Sequence, residues 1–188
     1  MQLLIDLLRA LRGLDRLLRF DESYRDFFDK TIQGTWRSFF AMTLVAPAVA
    51  LELPEDLAKD YPNATWFEFF AVEIGLYVIA WAANPLVAIE IGRRLGRGAA
   101  MPAYITIYNW FQLINIPFAA ALWAAAQGGA AELGSLFALA YFATYFVYLF
   151  FIARSFLQIE PHLAALFVVA DLGIFIILAT VRRYMLLA

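Results

Sequence analysis

The chain has 188 residues, 64% of them hydrophobic and 17% aromatic, with a mean hydropathy of +0.72 and a net charge of −2. Soluble domains run about 45–50% apolar, so the excess points to a polytopic, all-α integral membrane protein; a β-barrel would show short alternating segments instead. The near-neutral charge offers nothing to nucleic acid, the absence of Cys excludes disulfides and thiolate chemistry, and the single His162 cannot build a multi-histidine metal site.

Residues 2–20 read QLLIDLLRALRGLDRLLRF. Leu4, Leu7, Leu8, Leu11, Leu14 and Leu18 recur at helical steps, and Arg9, Arg12, Arg16 and Arg19 follow the same period on the other side. This spacing predicts an amphipathic helix too charged to span. A leucine face with a basic polar face suits a helix lying among anionic lipid headgroups. The four arginines also interrupt what a cleavable leader would need as its apolar core. Residues 1–30 form this lead and its linker, with Asp21 and Ser23 as candidate N-caps.

Residues 31–188 read as a five-helix transmembrane domain. The spans lie at about 36–53, 66–91, 102–126, 133–152 and 161–181. Each is close to the roughly 20 apolar residues that a crossing needs. Pro47 sits inside the first, Asn84-Pro85 inside the second and Pro117 inside the third, and each proline bends or breaks its helix. Glu52, Glu68, Glu90 and Glu132 fall near span ends, where water reaches them. Gly75, Gly173 and the Gly134/Ala138 step provide small surfaces for close helix packing, within the protomer or between protomers. Lys and Arg mark the cytoplasmic side. Eleven of the fourteen precede the first span, open it, or lie in the turns after the second and fourth. That places the N-terminus inside, in the setting of a bacterial cytoplasmic (inner) membrane. The Arg182-Arg183 pair stands against the outside C-terminus that five spans require.

The chemistry-bearing residues lie within the apolar slab. Asp171 is at the centre of the fifth span, where a carboxylate costs about 2.5–3.5 kcal/mol on insertion scales unless it meets a partner or water. Tyr108, Gln112 and Asn115 share one face of the third span, near its centre; Glu73, Tyr77 and Asn84 share one face of the second. The expected site joins Asp171, Glu73, Asn109, Gln112, Asn115 and Asn84. Such a set suits a proton or cation, and equally serves as hydrogen-bonded packing between helices. No nucleotide loop, helical zinc motif or nucleophile elbow occurs, so no catalytic residue, metal or cofactor is assigned.

The layout resembles that of the Yip family, the Rab-GTPase-interacting five-span membrane proteins, and of its bacterial-type members. The resemblance runs over residues 30–183 and is carried by the YITIY segment at 104–108 and by FFIARSFLQIEPHLAALFVVADLG at 150–173. It implies five spans and a membrane-organising role, with no catalytic residue to transfer. The Arg-rich first helix departs from that pattern. Two readings follow: a non-enzymatic scaffold, assembly or membrane-organising factor, acting as a homo-oligomer or with a partner membrane protein; or a small transporter or transporter subunit. A dry, mutually satisfied bundle fits the first. A cavity joining Glu73 to Asp171 fits the second.

Overall fold

The computed structural model describes residues 2–51, 53–127 and 131–187. Glu52, Gly128 and Gly129 lie outside the described residues, as does the side chain of Glu132. Every regular element among the described residues is helical. Helix α1 spans Gln2–Leu18 and is followed by a 3-10 turn at Glu22–Phe27; α2 spans Ile32–Ser38, α3 Phe40–Ala50, α4 Leu53–Asp60 and α5 Trp66–Arg94. Helix α6 (Met101–Phe111) passes through a second 3-10 turn (Gln112–Ile114) into α7 (Asn115–Gln127), and α8 (Ala131–Leu157) and α9 (Pro161–Leu187) close the chain.

Four stretches are long and apolar enough to cross a membrane: Trp66–Arg94, Gly98–Ala125, Leu136–Leu157 and Pro161–Leu187. The expected first span is not among them. Its residues are divided between the end of α2, all of α3 and the start of α4. The break at Phe39 has a local cause. The Ser38 hydroxyl donates to the Thr35 carbonyl at 2.7 Å, the acceptor that the Phe39 N–H would take in an unbroken helix, and Phe39 donates to Trp36 instead at 3.3 Å. A serine that bonds back to the backbone in this way competes with the helix ladder.

The third crossing bends at the position its proline dictates. Pro117 has no N–H to offer the carbonyl four residues earlier, that of Leu113, and its ring crowds it. The chain tightens there into the 3-10 turn at Gln112–Ile114. Helix α5 starts at a reciprocal capping box: the Thr65 hydroxyl accepts from the Glu68 N–H at 3.2 Å, and the Glu68 carboxylate accepts from the Thr65 N–H at 3.0 Å.

Burial fixes the order of the bundle. Of the most apolar window in each crossing, 56% is buried in the α6–α7 stretch, against 11% in α5 and 11% in α9. The bent crossing is therefore the centre, with α2 and α8 against α6, α3 and α8 against α7, and α9 against α5 and α8. Gly92, Gly34 and Gly13 are glycines where close approach is real: a Cβ at Gly92 would lie 2.1 Å from Met101 Sδ, one at Gly34 would lie 2.4 Å from Asp29 Cγ, and one at Gly13 would lie 2.7 Å from the Phe28 ring. Among the described residues a Cβ at Gly75, Gly134 or Gly173 would meet no packing neighbour within 4 Å, so inside the protomer these three do not provide the expected close packing.

Helix α1 is fastened along one side. Ala10, Leu14 and Leu17 are buried against the protein, whereas Leu4, Leu8 and Leu11 remain about half exposed. The turn after α1 is tied to the end of α8. Tyr24 and Ser155 share a 2.8 Å hydrogen bond between buried hydroxyls, Tyr148 donates to the Leu18 carbonyl at 2.8 Å, and Phe20 stacks on Tyr148. Burial pushes the Tyr24 phenol above its ordinary value, outweighing the hydrogen bond to Ser155. On the other side, Arg37 donates to Asp6 at 2.6 Å and to Asp29. Burial acts to raise the Asp29 carboxyl, but hydrogen bonds from Thr31 and Arg37 prevail and hold it below the usual carboxylate range.

Candidate functional site

Asp171 projects from the middle of α9 toward α6, and the Tyr108 hydroxyl donates to its Oδ1 at 2.7 Å. The partner of the expected intramembrane charge is thus a phenol. Around it runs a chain of side-chain hydrogen bonds. Gln112 donates through Nε2 to the Tyr145 hydroxyl at 3.1 Å, and Asn115 donates through Nδ2 to Gln112 Oε1 at 2.9 Å. The Tyr145 hydroxyl also lies within electrostatic reach of Asp171 and Tyr108. The 3-10 turn aligns Gln112 and Asn115 in this arrangement, because at three residues per turn side chains three apart stand one above the other.

These groups line a cavity of about 380 Å³. Its polar lining is Asn84, Tyr108, Gln112, Asn115, Tyr145 and Asp171; the rest is aromatic and aliphatic, with Trp81, Tyr141, Phe142 and Phe175. Small-molecule sites occupy roughly 300–1,000 Å³ and are mostly apolar with a few convergent polar groups, which is the description of this space. Pro85 adds a backbone acceptor: with no N–H at residue 85, the Trp81 carbonyl in the cavity wall lacks its usual helical donor. Phe142 of α8 and Phe175 of α9 meet at 5.7 Å between ring centroids, and both are partly exposed on the outer surface. They form the rim on that side. Val49 and Leu178 continue the lining toward the end of the bundle that holds α4 and the last turns of α9. A much smaller void of about 20 Å³ shares Asn84, Tyr108 and Asp171.

Two of the expected site residues are elsewhere. Glu73 does not line the cavity; its Oε1 accepts from Arg182 Nε, and the Arg182 guanidinium lies 5.2 Å from the Tyr61 ring centroid and 5.7 Å from that of Phe69. The distance from Glu73 to the bundle centre along α5 and the return of α9 beside it explain this: the last turns of α9 pass the first turns of α5. Asn109 is fully buried on the other side of α6, where it donates to Ser38 Oγ at 2.9 Å and keeps α2 in place. Asn84, Gln112, Asn115 and Asp171 are brought together. Sequence reasoning missed the wall from α8. Tyr141 and Tyr145, four residues apart, carried the signal, but aromatics at that spacing usually mean plain core. It also missed Arg182, which it treated as a flanking charge.

The remaining charges are peripheral. Glu68 serves the capping box, and Glu90 pairs with Arg93 and Arg94 at the surface. On α1, Arg16 pairs with Asp21 and Arg19 with Asp15, while Arg9 reaches the Asp26 carbonyl and Arg12 is exposed. Among the described residues no three Asp, Glu or His side chains converge on a point where a metal ion would sit. No family model, curated protein or solved structure matches this chain.

Proposed function

We propose that the chain is a non-enzymatic integral membrane protein that holds a small solute within the bilayer, as a carrier or carrier subunit. The observation that carries this reading is the cavity of about 380 Å³ beside Asp171. A bundle whose polar groups served only to bind helices would close over them, because voids forfeit contacts. Here the hydrogen-bonded groups face open space. Glu73 lies outside the cavity lining.

A fifth crossing supports the same picture. Helix α2 lies beside the start of α6, through Thr35 to the Pro102 carbonyl at 2.7 Å and Asn109 to Ser38, and α3 then runs beside α7. Residues 32–50 therefore advance in step with the central crossing, over about 28 Å at 1.5 Å per residue. Val45 and Val49 of α3 supply part of the cavity wall. With five crossings, α1 and the Arg-rich turns share the cytoplasmic face, and the C-terminus lies opposite, where Glu73 and the Tyr61 and Phe69 rings accommodate Arg182.

The membrane-organising reading, which the resemblance to the Yip family implies, draws on a separate observation. Leu4, Leu8 and Leu11 of α1 are exposed while its other side is fastened to the protein. Beside that stripe lie Arg12, Arg16 and Arg19, the composition of a helix seated at an anionic headgroup layer.

The test of the solute reading uses Trp81 as reporter. Replacing Trp36, Trp66, Trp110 and Trp123 by Phe leaves one tryptophan, in the cavity wall. In proteoliposomes, acrylamide should quench it, and Ala80→Phe, which fills the cavity, should protect it. Fluorescence that acrylamide cannot reach would leave a dry bundle and remove the carrier reading.

A further inference from the structure

Resting on the reading of the cavity as a solute site, we infer that the solute is an organic monocation: an ammonium group carried on an apolar body. The lining has one ionisable acid, Asp171, and no Lys, Arg or His. An anionic ligand would meet that carboxylate with nothing to offset it. A neutral apolar ligand would leave the Asp171 carboxylate, whose hydrogen bond from Tyr108 supplies no counter-charge, facing hydrocarbon.

The rest of the wall discriminates among cations. Eight of the seventeen lining residues are aromatic. A ring face attracts a cation, more strongly once both are out of water, and recognition of alkylated ammonium groups uses such surroundings. A metal ion is poorly served, since Ca²⁺ takes six to eight oxygen ligands and Mg²⁺ keeps near-octahedral geometry, whereas one carboxylate is present here. A proton alone needs no space of this size. An organic ammonium uses every part: its charge beside Asp171, its alkyl groups against Trp81, Tyr141 and Tyr145, and its apolar body toward Phe142 and Phe175. The hydrogen bond from Tyr108 holds the carboxylate in place without neutralising its charge.

The experiment compares benzyltrimethylammonium with its uncharged isostere neopentylbenzene. The full chain, with Trp81 as its one tryptophan, is held in nanodiscs of zwitterionic lipid so that the surface does not gather cations. Binding is read as protection of Trp81 from acrylamide. The cation should protect at a concentration lower by on the order of tenfold than the isostere. Asp171→Asn, which keeps shape and a hydrogen-bond acceptor, should abolish that preference. Equal protection by the two probes, or a preference that survives in Asp171→Asn, overturns the inference while leaving a solute site. Failure of acrylamide to reach Trp81 in the absence of any probe overturns the solute site itself. If Asp171→Asn does not fold, the comparison of probes on the unaltered site still decides the question of charge.

Discussion

Tyr24→Phe tests how the N-terminal helix is fastened to the membrane bundle. Tyr24 is fully buried, and its hydroxyl meets that of Ser155 at 2.8 Å. The substitution removes one oxygen and keeps the ring against Phe28 and Phe151. It leaves the Ser155 hydroxyl, 8% exposed, without this partner. An orphaned buried hydroxyl costs about 1–3 kcal/mol. Ser155→Ala should cost a similar amount by orphaning Tyr24. The double variant should cost scarcely more than either alone, giving a coupling of about 1–3 kcal/mol in a double-mutant cycle. Reversible unfolding in mixed micelles measures it. The same bond carries a pH signature. The Tyr24 phenol is raised in the folded state by burial. Its contribution is therefore fully present below the unfolded phenol value of about 10 and is lost as pH rises through the folded value. Above pH ~10, the parent protein should lose stability faster than Tyr24→Phe. Additive single effects, or parallel alkaline profiles, would refute the account of Tyr24 as the fastening.

Three further outcomes are expected. Gly92→Ala should destabilise by about 1–3 kcal/mol, since Met101 must move away, whereas Gly173→Ala, with open space around it, should be neutral or stabilising by up to about 1 kcal/mol; thermal unfolding of both variants checks the contrast, and equal shifts would contradict it. Pro117→Ala should restore α-helical bonding across residues 112–114, raising stability while weakening acrylamide access or probe binding at Trp81, because Gln112 and Asn115 would rotate from the cavity. Since the chain has no native Cys, single cysteines at Leu8 and Arg12 can carry spin labels; Leu8→Cys should show lipid-soluble relaxation by oxygen and Arg12→Cys water-soluble relaxation by a nickel chelate, and identical accessibilities would remove the interfacial placement of α1.

Most of the helical framework was legible because continuous apolar runs leave few alternatives. Four crossings follow from length and composition. The first run was harder: nothing in WRSFFAMTLV announces that Ser38 will take the carbonyl of Thr35, and that one hydroxyl divides the helix. Depth along a span could be counted, so Asp171, Gln112 and Asn115 were placed at one level. Azimuth between helices could not be counted, so Asn109, on a suitable span but turned elsewhere, was assigned to the same site; Glu73 shares the face of Tyr77 and Asn84 but lies too far along α5 to line the cavity. The cavity is a property of what neighbouring helices fail to fill, and no single segment encodes it. Arg182 shows the reverse error: a charge at the end of a run reads as a stop signal, yet two rings and a carboxylate from α4–α5 receive it.

The enclosed position of α6 has a consequence for synthesis. Of the four candidate crossings it is the least apolar and the most surrounded by protein. Its partners come from both directions along the chain: α2 and α3 are made before it, α8 after it. A segment carrying Thr106, Asn109, Gln112 and Asn115 is poorly suited to wait in lipid by itself. Its polar side chains are met by helices on both sides of it in the chain, so the central crossing has its full set of hydrogen bonds only with α8 in place beside it.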